Sequence, residues 1–226
     1  MIPKFAIKAV VIILIAGVVT AALAWAYSEH RKRELREVVV ALVADTSLRL
    51  RDALSIEADP TTANRPETGR LDAHVATVER HLVMLQDKDS PSIGALAEAA
   101  NDYVLTVREI LRRQASSHRY RLQLSANLLA LRNHMRADDR SGSCVPAAVQ
   151  AKERVEEDYR NYKLAIDALG KLLESYPASR AKMAPHVSAA LLADESLVAA
   201  ARKRALDDSR RTADEIEQAR QLAAYR

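Results

Sequence analysis

Glycine, proline and aromatic residues are scarce in this chain. Among 226 residues there are 5 glycines, 7 prolines, 1 phenylalanine and 1 tryptophan, while Ala, Leu, Arg and Glu are abundant. This composition is typical of long helices. Because Phe5 and Trp25 both belong to the first 27 residues, the core of the remainder must consist of Leu, Val, Ile, Ala and a few Tyr. Helical bundles with narrow apolar faces are built in this way.

Three other absences limit the function. The single cysteine, Cys144, has no partner for an internal disulfide bond. The formal net charge of +4 is too small to indicate a nucleic-acid partner. The sequence contains no Gly-rich phosphate loop, HExxH, GxSxG or paired-cysteine motif. We therefore expect no catalytic activity, no cofactor and no metal.

The longest apolar run lies at the N terminus. It extends from Ala9 to Tyr27, about 19 residues, and comes after Lys4 and Lys8. Its length and its aromatic end at Trp25 and Tyr27 predict a single membrane-spanning helix, residues 1–27. The alternative is a signal peptide cleaved after Ala22-Leu23-Ala24. The basic residues after the run, which would hinder translocation at the start of a mature chain, favour the uncleaved anchor; they are Arg31, Lys32, Arg33 and Arg36.

Two arguments about orientation nearly cancel. The larger number of basic residues after the span places the main part of the chain in the cytoplasm. An N-terminal anchor with a very short leading tail instead tends to export the chain on its C-terminal side. We expect a single-pass protein of the inner membrane of a bacterial envelope, with its bulk on the extracytoplasmic, periplasmic side.

Apolar residues recur at helical spacing between the prolines. After the span, Val39, Val43, Thr46, Leu50 and Leu54 continue one face, so the first helix is expected to reach about Ile56. A loop is predicted over 59–69, with a second helix after it. The domain organisation is thus a membrane anchor at 1–27, a helical extension at 28–58, and a bundle domain at 59–226 that packs with the extension. We expect an elongated antiparallel bundle or coiled coil.

The third helix is predicted to begin after Ser90-Pro91 and to end near Gly142. Its apolar face keeps one register, but three positions in the middle are polar: Gln114, Ser117 and Arg121. This interruption indicates either a hinge near 115–117 or a hydrated layer in the core. The fourth helix is predicted from Pro146, with a short segment between Pro177 and Pro185. The fifth begins after Asp194 and has a weak apolar pattern, which is typical of a helix that packs along one edge or docks on a partner.

A basic stretch occupies the third helix from Arg108 to Arg140. Its functional interpretation is a contact for anionic lipid, nucleic acid or an acidic partner. Pairing with acidic residues of the fourth helix explains it more simply. The candidate acids are Glu153, Glu156, Glu157 and Asp158.

Histidines and tyrosines are the remaining candidates for a site. His74 and His81 share a helix face but stand about 10 Å apart along it, too far for one metal ion. His134 with Asp138 and the nearby Cys144 could ligate a metal, but a site needs three or four converging ligands. Four tyrosines on the apolar faces could line a ligand pocket, although core packing with the hydroxyls at the rim explains the same spacing more simply; they are Tyr103, Tyr159, Tyr162 and Tyr176.

Two functions fit these features. The first is a membrane-anchored helical scaffold or interaction protein whose partners are the lipid bilayer and either itself or another membrane protein. The second is an extracytoplasmic ligand-binding or sensory module, similar in layout to the four-helix input domains of bacterial chemoreceptors and sensor kinases. Because no second span or signalling domain is recognisable in the sequence, such a module is expected to act through a partner.

Overall fold

The computed structural model describes the backbone of residues 4–56, 65–86, 93–141 and 145–224. Side chains are described for the same residues except 4–15, 65–66, 136–141, 145–148 and 222–224. This part of the chain is all-helical, as predicted, with five α-helices. They are α1 (Lys4–Ser55), α2 (Arg65–Gln86), α3 (Gly94–Ser141), α4 (Val145–Met183) and α5 (Glu195–Ala224), and a single 3₁₀ turn, Ala189–Leu191, precedes α5.

Side-chain contacts fix the directions of the helices. Asp52 on α1 contacts Arg70 and His74 on α2, while Thr46 contacts His81, so α1 and α2 are antiparallel. The same reasoning makes each later pair of consecutive helices antiparallel. For example, Tyr162 and Glu156 of α4 contact Asp208 and Arg220 of α5, respectively. Helices α1, α3 and α5 therefore run in one direction, and α2 and α4 in the other.

Two apolar cores lie along the bundle. The larger one is formed by the second half of α1, α2, the first half of α3, the second half of α4 and the start of α5. The smaller one joins only α3, α4 and α5 around Leu124, Leu128 and Ile216. Because α1 ends at Ser55 and α2 begins at Arg65, α1 and α2 both terminate near the middle of α3. There a section that contains all five helices gives way to a section of α3, α4 and α5 alone.

Helix α1 reaches far beyond the bundle. Its 52 residues span about 78 Å, and residues 16–28 are almost all exposed, whereas the core begins at Val39. Among the residues that the structure describes, no helix has both the length and the apolar character needed to cross a membrane. The span predicted for residues 1–27 is not supported by this finding, and the side chains of its residues 9–15 lie outside the described part.

Several predicted boundaries differ from those observed. Helix α2 begins at Arg65, inside the predicted loop 59–69, because proline is tolerated in the first turn of a helix, where Pro66 lies. Residues 59–64 and the predicted Ser90-Pro91 cap lie outside the described residues. Helix α4 does not stop before Pro177 but continues to Met183. The continuation buries Ser179 and Met183 against the core. This burial offsets the loss of the backbone hydrogen bond that proline cannot donate.

The start of α5 has the predicted cap. The Asp194 carboxylate accepts hydrogen bonds from the Ser196 backbone N–H (3.2 Å) and from the Ser196 hydroxyl (2.8 Å), and these bonds lower the pKa of Asp194. The predicted apolar face of α5 is only partly correct. Val198, Ala201 and Ile216 are buried, but Leu206 is 49% exposed, and Leu222 lies outside the described side chains.

Candidate functional site

A polar layer separates the two apolar cores. The middle of α3 contributes Ser117, His118 and Arg121, each no more than 7% exposed, together with the partly buried Gln114. Helix α3 is unbroken from Gly94 to Ser141, so the polar interruption of its apolar face is not a hinge. It is instead a polar layer in the interior, located where α1 and α2 end.

A cavity of about 590 Å³ opens beside this layer. Helices α3 and α5 provide its polar walls, while the end of α1 and the middle of α4 provide apolar ones. The lining residues are Leu54, Ile56, Gln114, Ser117, His118, Arg121, Tyr162, Ile166, Leu169, Leu173, Ala201, Arg204, Ala205, Asp207, Asp208 and Arg211. Asp207 and Arg211 are exposed, so the cavity reaches the surface beside them.

Arg121 is the most buried charged group of the site. Its guanidinium donates two hydrogen bonds of 3.1 Å from Nη2 to the carboxylate of Glu215, and Nε lies 3.9 Å from Oδ1 of Asp208. The Arg121 side chain is 3% exposed, against 17% for Asp208 and 40% for Glu215. Two carboxylates of α5 therefore neutralise this buried cation, as burial of a charge requires.

Asp208 connects the remaining polar groups of α4 and α5. It accepts a hydrogen bond of 2.6 Å from the Tyr162 hydroxyl, and Arg211 donates to its other oxygen at 3.4 Å. Burial, followed by the negative charge of Asp208, raises the pKa of Tyr162, so the phenol remains protonated and acts as a donor. Arg204 donates a hydrogen bond of 2.6 Å to the Leu54 carbonyl, which joins α5 to the end of α1.

Three residues that line the cavity each have a buried polar atom without a hydrogen-bond partner among the described residues. These atoms are Oε1 of Gln114, Nε2 of His118 and Nε of Arg121. The Gln114 amide is fixed by a bond of 2.6 Å from its Nε2 to the Ala53 carbonyl. Burial lowers the pKa of His118 against the opposing effect of the nearby Glu67 and Asp208 carboxylates, so its ring is neutral at pH 7. Buried polar groups without partners are costly.

The Ser117 hydroxyl of the polar layer is engaged within its own helix. The Ser117 hydroxyl donates to the Gln114 carbonyl of its own helix at 2.9 Å, so it is not poised beside a general base. No group of metal-ligating side chains occurs within the described residues. The trio considered as metal ligands, His134, Asp138 and Cys144, includes two members that lie outside the described side chains.

The other histidines of the bundle hold α2 against α1. His74 donates to the Asp52 carboxylate at 2.7 Å, and His81 is 2.9 Å from the Thr46 hydroxyl through Nδ1 and 3.3 Å from Asp45 through Nε2. Burial lowers the pKa of His81, although Asp45 acts in the opposite direction. These two histidines have structural partners, and the sequence did not distinguish them from His118.

The four tyrosines do not line the cavity as a group, and the hydroxyls of Tyr103 and Tyr176 lie inside the core and not at its rim. Tyr103 and Tyr176 are fully buried, and their hydroxyls hydrogen-bond each other at 3.0 Å. The Ser47 hydroxyl is 2.8 Å from the Tyr103 hydroxyl, and the Tyr176 hydroxyl donates to the Ala193 carbonyl at 3.0 Å. Only Tyr162 belongs to the cavity. A buried hydroxyl needs a partner, and neighbouring helices supply one more readily than distant solvent does.

Three arginines of the basic stretch of α3 pair with helices other than the predicted one, and the side chains of Arg136 and Arg140 lie outside the described part. Arg112 contacts Glu79 and Arg119 contacts Asp72, both on α2, while Arg121 contacts acids of α5. Of the predicted α4 partners, Glu156 instead pairs with Arg220 of α5, and Asp158 accepts a hydrogen bond from Asn127. Periodicity identified charges that needed partners, but it did not show which helix lies on which side of α3.

The residues that α5 contributes to the site were not predicted from the sequence. Val198, Ala201, Ala205, Asp208 and Thr212 recur at steps of three and four, so the apolar face of α5 contains polar positions in the same way as that of α3. Aligning the two interruptions would have placed Asp208 near Arg121.

Comparison of the chain with protein-family models, with curated proteins and with solved structures finds no match.

Proposed function

We propose that this protein is a membrane-anchored helical interaction protein without catalytic activity of its own. The observation that carries the proposal is the long N-terminal part of α1 outside the bundle. Its large apolar side chains are between 53% and 71% exposed, which is costly in water and favourable in a bilayer. They are Val18, Val19, Leu23, Trp25 and Tyr27.

The location that we propose is the inner membrane, crossed once, with the bundle on the extracytoplasmic side. The exposed Trp25 and Tyr27 belong at the membrane–water interface, and the basic residues from Arg31 to Arg36 come next on the side of the bundle. In this arrangement α1 acts as a spacer between the bilayer and the core that begins at Val39. The proposed partners are the lipid bilayer and a second copy of this chain or another membrane protein.

Fractionation of cells tests the anchor, and reporters fused after Arg226 test the orientation. We expect the full chain in the membrane fraction, resistant to extraction with carbonate, and a reporter signal only from an enzyme that is active outside the cytoplasm. Crosslinking in membranes should then show either a homo-oligomer or one defined partner. Full extraction by carbonate would contradict the anchor, and a cytoplasmic reporter signal would contradict the orientation.

We propose ligand binding as the second function, because the cavity of about 590 Å³ favours it. Its volume falls in the range of small-molecule sites, and it combines apolar walls with a few convergent polar groups. Native mass spectrometry of the full chain purified from membranes tests this function. We expect an additional mass of a few hundred daltons that is lost on denaturation. The bare mass under native conditions, together with no stabilisation by small neutral or charged amphiphiles, would count against it.

A further inference from the structure

We propose that Arg31 and Arg33 bind the headgroups of anionic phospholipids at the point where α1 leaves the bilayer. The inference rests on the first proposed function, the membrane anchor, and adds the class of lipid that the anchored chain selects. Its support comes from the position of the two arginines on α1, from the charges around them and from their exposure.

Both arginines lie just beyond the aromatic end of the apolar segment. Helix α1 is continuous from Lys4 to Ser55, so Arg31 and Arg33 stand about 6 Å and 9 Å beyond Tyr27 along its axis. The polar region of one leaflet is about 5–8 Å thick. Side chains on a helix lean toward its N terminus, which is the bilayer end of α1. With Tyr27 at the membrane–water interface, both guanidinium groups therefore lie at the depth of the lipid phosphates.

The charges nearest the bilayer are positive on balance. Residues 28–33 include three Lys or Arg residues and one acidic residue, Glu29. Nζ of Lys32 lies 3.9 Å from the Glu29 carboxylate, so these two residues neutralise each other and leave Arg31 and Arg33 as the excess charge. Anionic phospholipids give a membrane a negative surface potential, which attracts basic residues placed beside it.

The charged residues farther from the bilayer do not cancel this excess. Glu34 stands about 11 Å beyond Tyr27, and its carboxylate lies 3.5 Å from His30. Arg36 and Glu37 follow with opposite charges, about 14 Å and 15 Å beyond Tyr27. Salt screens charges over a Debye length of about 8 Å. A negative surface therefore attracts the two nearer arginines more strongly than it repels these acids.

Neither arginine forms an ion pair with any side chain that the structure describes, and both are exposed. The arginines of the bundle differ in this respect, since Arg112 and Arg119 pair with acids of a neighbouring helix. A guanidinium presents five N–H donors and binds phosphate oxygens bidentately. A zwitterionic lipid offers the same phosphate, but its ammonium group cancels the charge. The excess charge of this segment therefore favours the anionic lipid.

The single tryptophan of the chain can report which lipid lies beside this part of α1. Trp25 precedes Arg31 by about 9 Å along the helix axis. The full chain is placed in nanodiscs of phosphatidylcholine with a minor fraction of phosphatidylglycerol. Bromine atoms, which quench tryptophan fluorescence on contact, are carried either by the phosphatidylglycerol or by an equal number of phosphatidylcholine molecules. We expect brominated phosphatidylglycerol to quench Trp25 at least about twofold more strongly, and high salt to reduce this difference.

Three double variants test the role of the two arginines. Arg31→Gln, Arg33→Gln removes the excess charge and should abolish the preference for phosphatidylglycerol, while the helix is retained because glutamine is a good helix former. Arg31→Lys, Arg33→Lys keeps the charge and should keep most of the preference. The matched control is Arg160→Gln, Lys163→Gln, which removes the same charge from exposed positions of α4 and should leave the preference unchanged.

The outcomes separate the lipid class from the anchor. Equal quenching by the two brominated lipids, or stronger quenching by phosphatidylcholine, would overturn the lipid class but leave the anchor. No quenching by either lipid would overturn both, because Trp25 would then lie outside the bilayer. A preference for phosphatidylglycerol that persists in Arg31→Gln, Arg33→Gln would overturn the assignment to these two residues.

Discussion

At the scale of the residue, Arg121 shows how strongly burial changes the role of a charge. Arg119 and Arg121 stand two positions apart on α3 and both pair with acids, but Arg119 is 55% exposed and Arg121 only 3%. Exposed pairs contribute up to about 1 kcal/mol, whereas loss of one partner of a buried pair is far more costly. The sequence alone does not distinguish the two arginines. Only the packing of the helices shows that Arg119 is exposed and Arg121 is buried.

Arg121→Ala should therefore lower the free energy of unfolding by up to about 3 kcal/mol, because it removes the cation that neutralises the mostly buried Asp208. Chemical denaturation of the purified protein measures the change. Arg119→Ala is the matched control and should lower it by less than about 1 kcal/mol. Equal effects of the two substitutions would show that Arg121 is not buried in solution.

Two histidines should make stability depend on pH. Burial lowers the pKa of His81 and of His118 below the ordinary value of 6.5, so the unfolded chain binds protons more readily than the folded chain as the pH falls through 6.5. The stabilisation is present above pH 6.5 and is lost as the pH falls from 6.5 through the lowered pKa values of the folded state. The charged groups near His118 are the carboxylates of Glu67 and Asp208, and those near His81 are Asp45, Arg49 and Arg80. At both histidines burial changes the pKa more than these charges do.

We expect Tm to fall between pH 7.5 and pH 5, and the double variant His81→Gln, His118→Gln to lose most of this slope. His30→Gln, which changes an exposed histidine, should retain it. The pKa values of Asp52 and Glu156 are lowered from the ordinary values of 3.8 and 4.5, so these carboxylates do not titrate between pH 7.5 and pH 5 and do not obscure the effect. An unchanged slope in the double variant would refute the explanation.

At the scale of the element, α4 places one face against both cores and the cavity. Leu169 and Leu173 are 5% and 2% exposed, whereas Leu164 on the same helix is 65% exposed. The sequence placed the first two on the apolar face by their spacing. It did not show that they lie beside a cavity, because that depends on where α1 and α2 end.

The double substitution Leu169→Asp, Leu173→Asp should unfold the domain. Two buried carboxylates cost several kcal/mol, which is comparable to the whole stability of a domain. Circular dichroism and gel filtration should show loss of the cooperative transition or of the native mass. Leu164→Asp is the control and should leave the transition almost unchanged. Unchanged melting of the double variant would show that the register of α4 is wrong.

Pro177 lies on the exposed side of α4 and deprives the Leu173 carbonyl of its usual donor within the helix. Pro177→Ala restores that donor, so the free energy of unfolding should rise, by up to about 3 kcal/mol. Thermal denaturation measures the gain. Ser175→Ala changes an exposed neighbour without restoring a backbone hydrogen bond and should alter stability by only a few tenths of a kcal/mol. A decrease for Pro177→Ala would mean that the helix is bent in a way that needs proline.

At the scale of the whole molecule, the bundle and the N-terminal part of α1 are separable. The core begins at Val39, and residues 16–28 are almost all exposed. Deletion of residues 2–27 should therefore leave the Tm of the bundle within about 2 °C of that of the full chain, because few buried contacts are lost. The same deletion should release the protein from membranes. A large fall in Tm would show that this part of α1 packs against the domain.

The sequence by itself determined the helical class, most of the buried apolar positions and the polar interruption of α3. These features result from local rules: residue composition, the 3.6-residue period, and the capping preference seen at Asp194. The membrane anchor and the two functions remain proposals, because periodicity describes one segment at a time and not the surface or partner that the segment meets.

Only the tertiary structure decided the site. Periodicity left a hinge and a polar layer equally open, and it assigned the partners of Arg112, Arg119 and Arg121 to the wrong helix. The buried pairing of Arg121 with α5 and the cavity beside His118 depend on which helices are neighbours and on where α1 and α2 stop. The physical reason is that burial and ion pairing depend on contacts between residues far apart in the chain, such as Arg121 and Glu215.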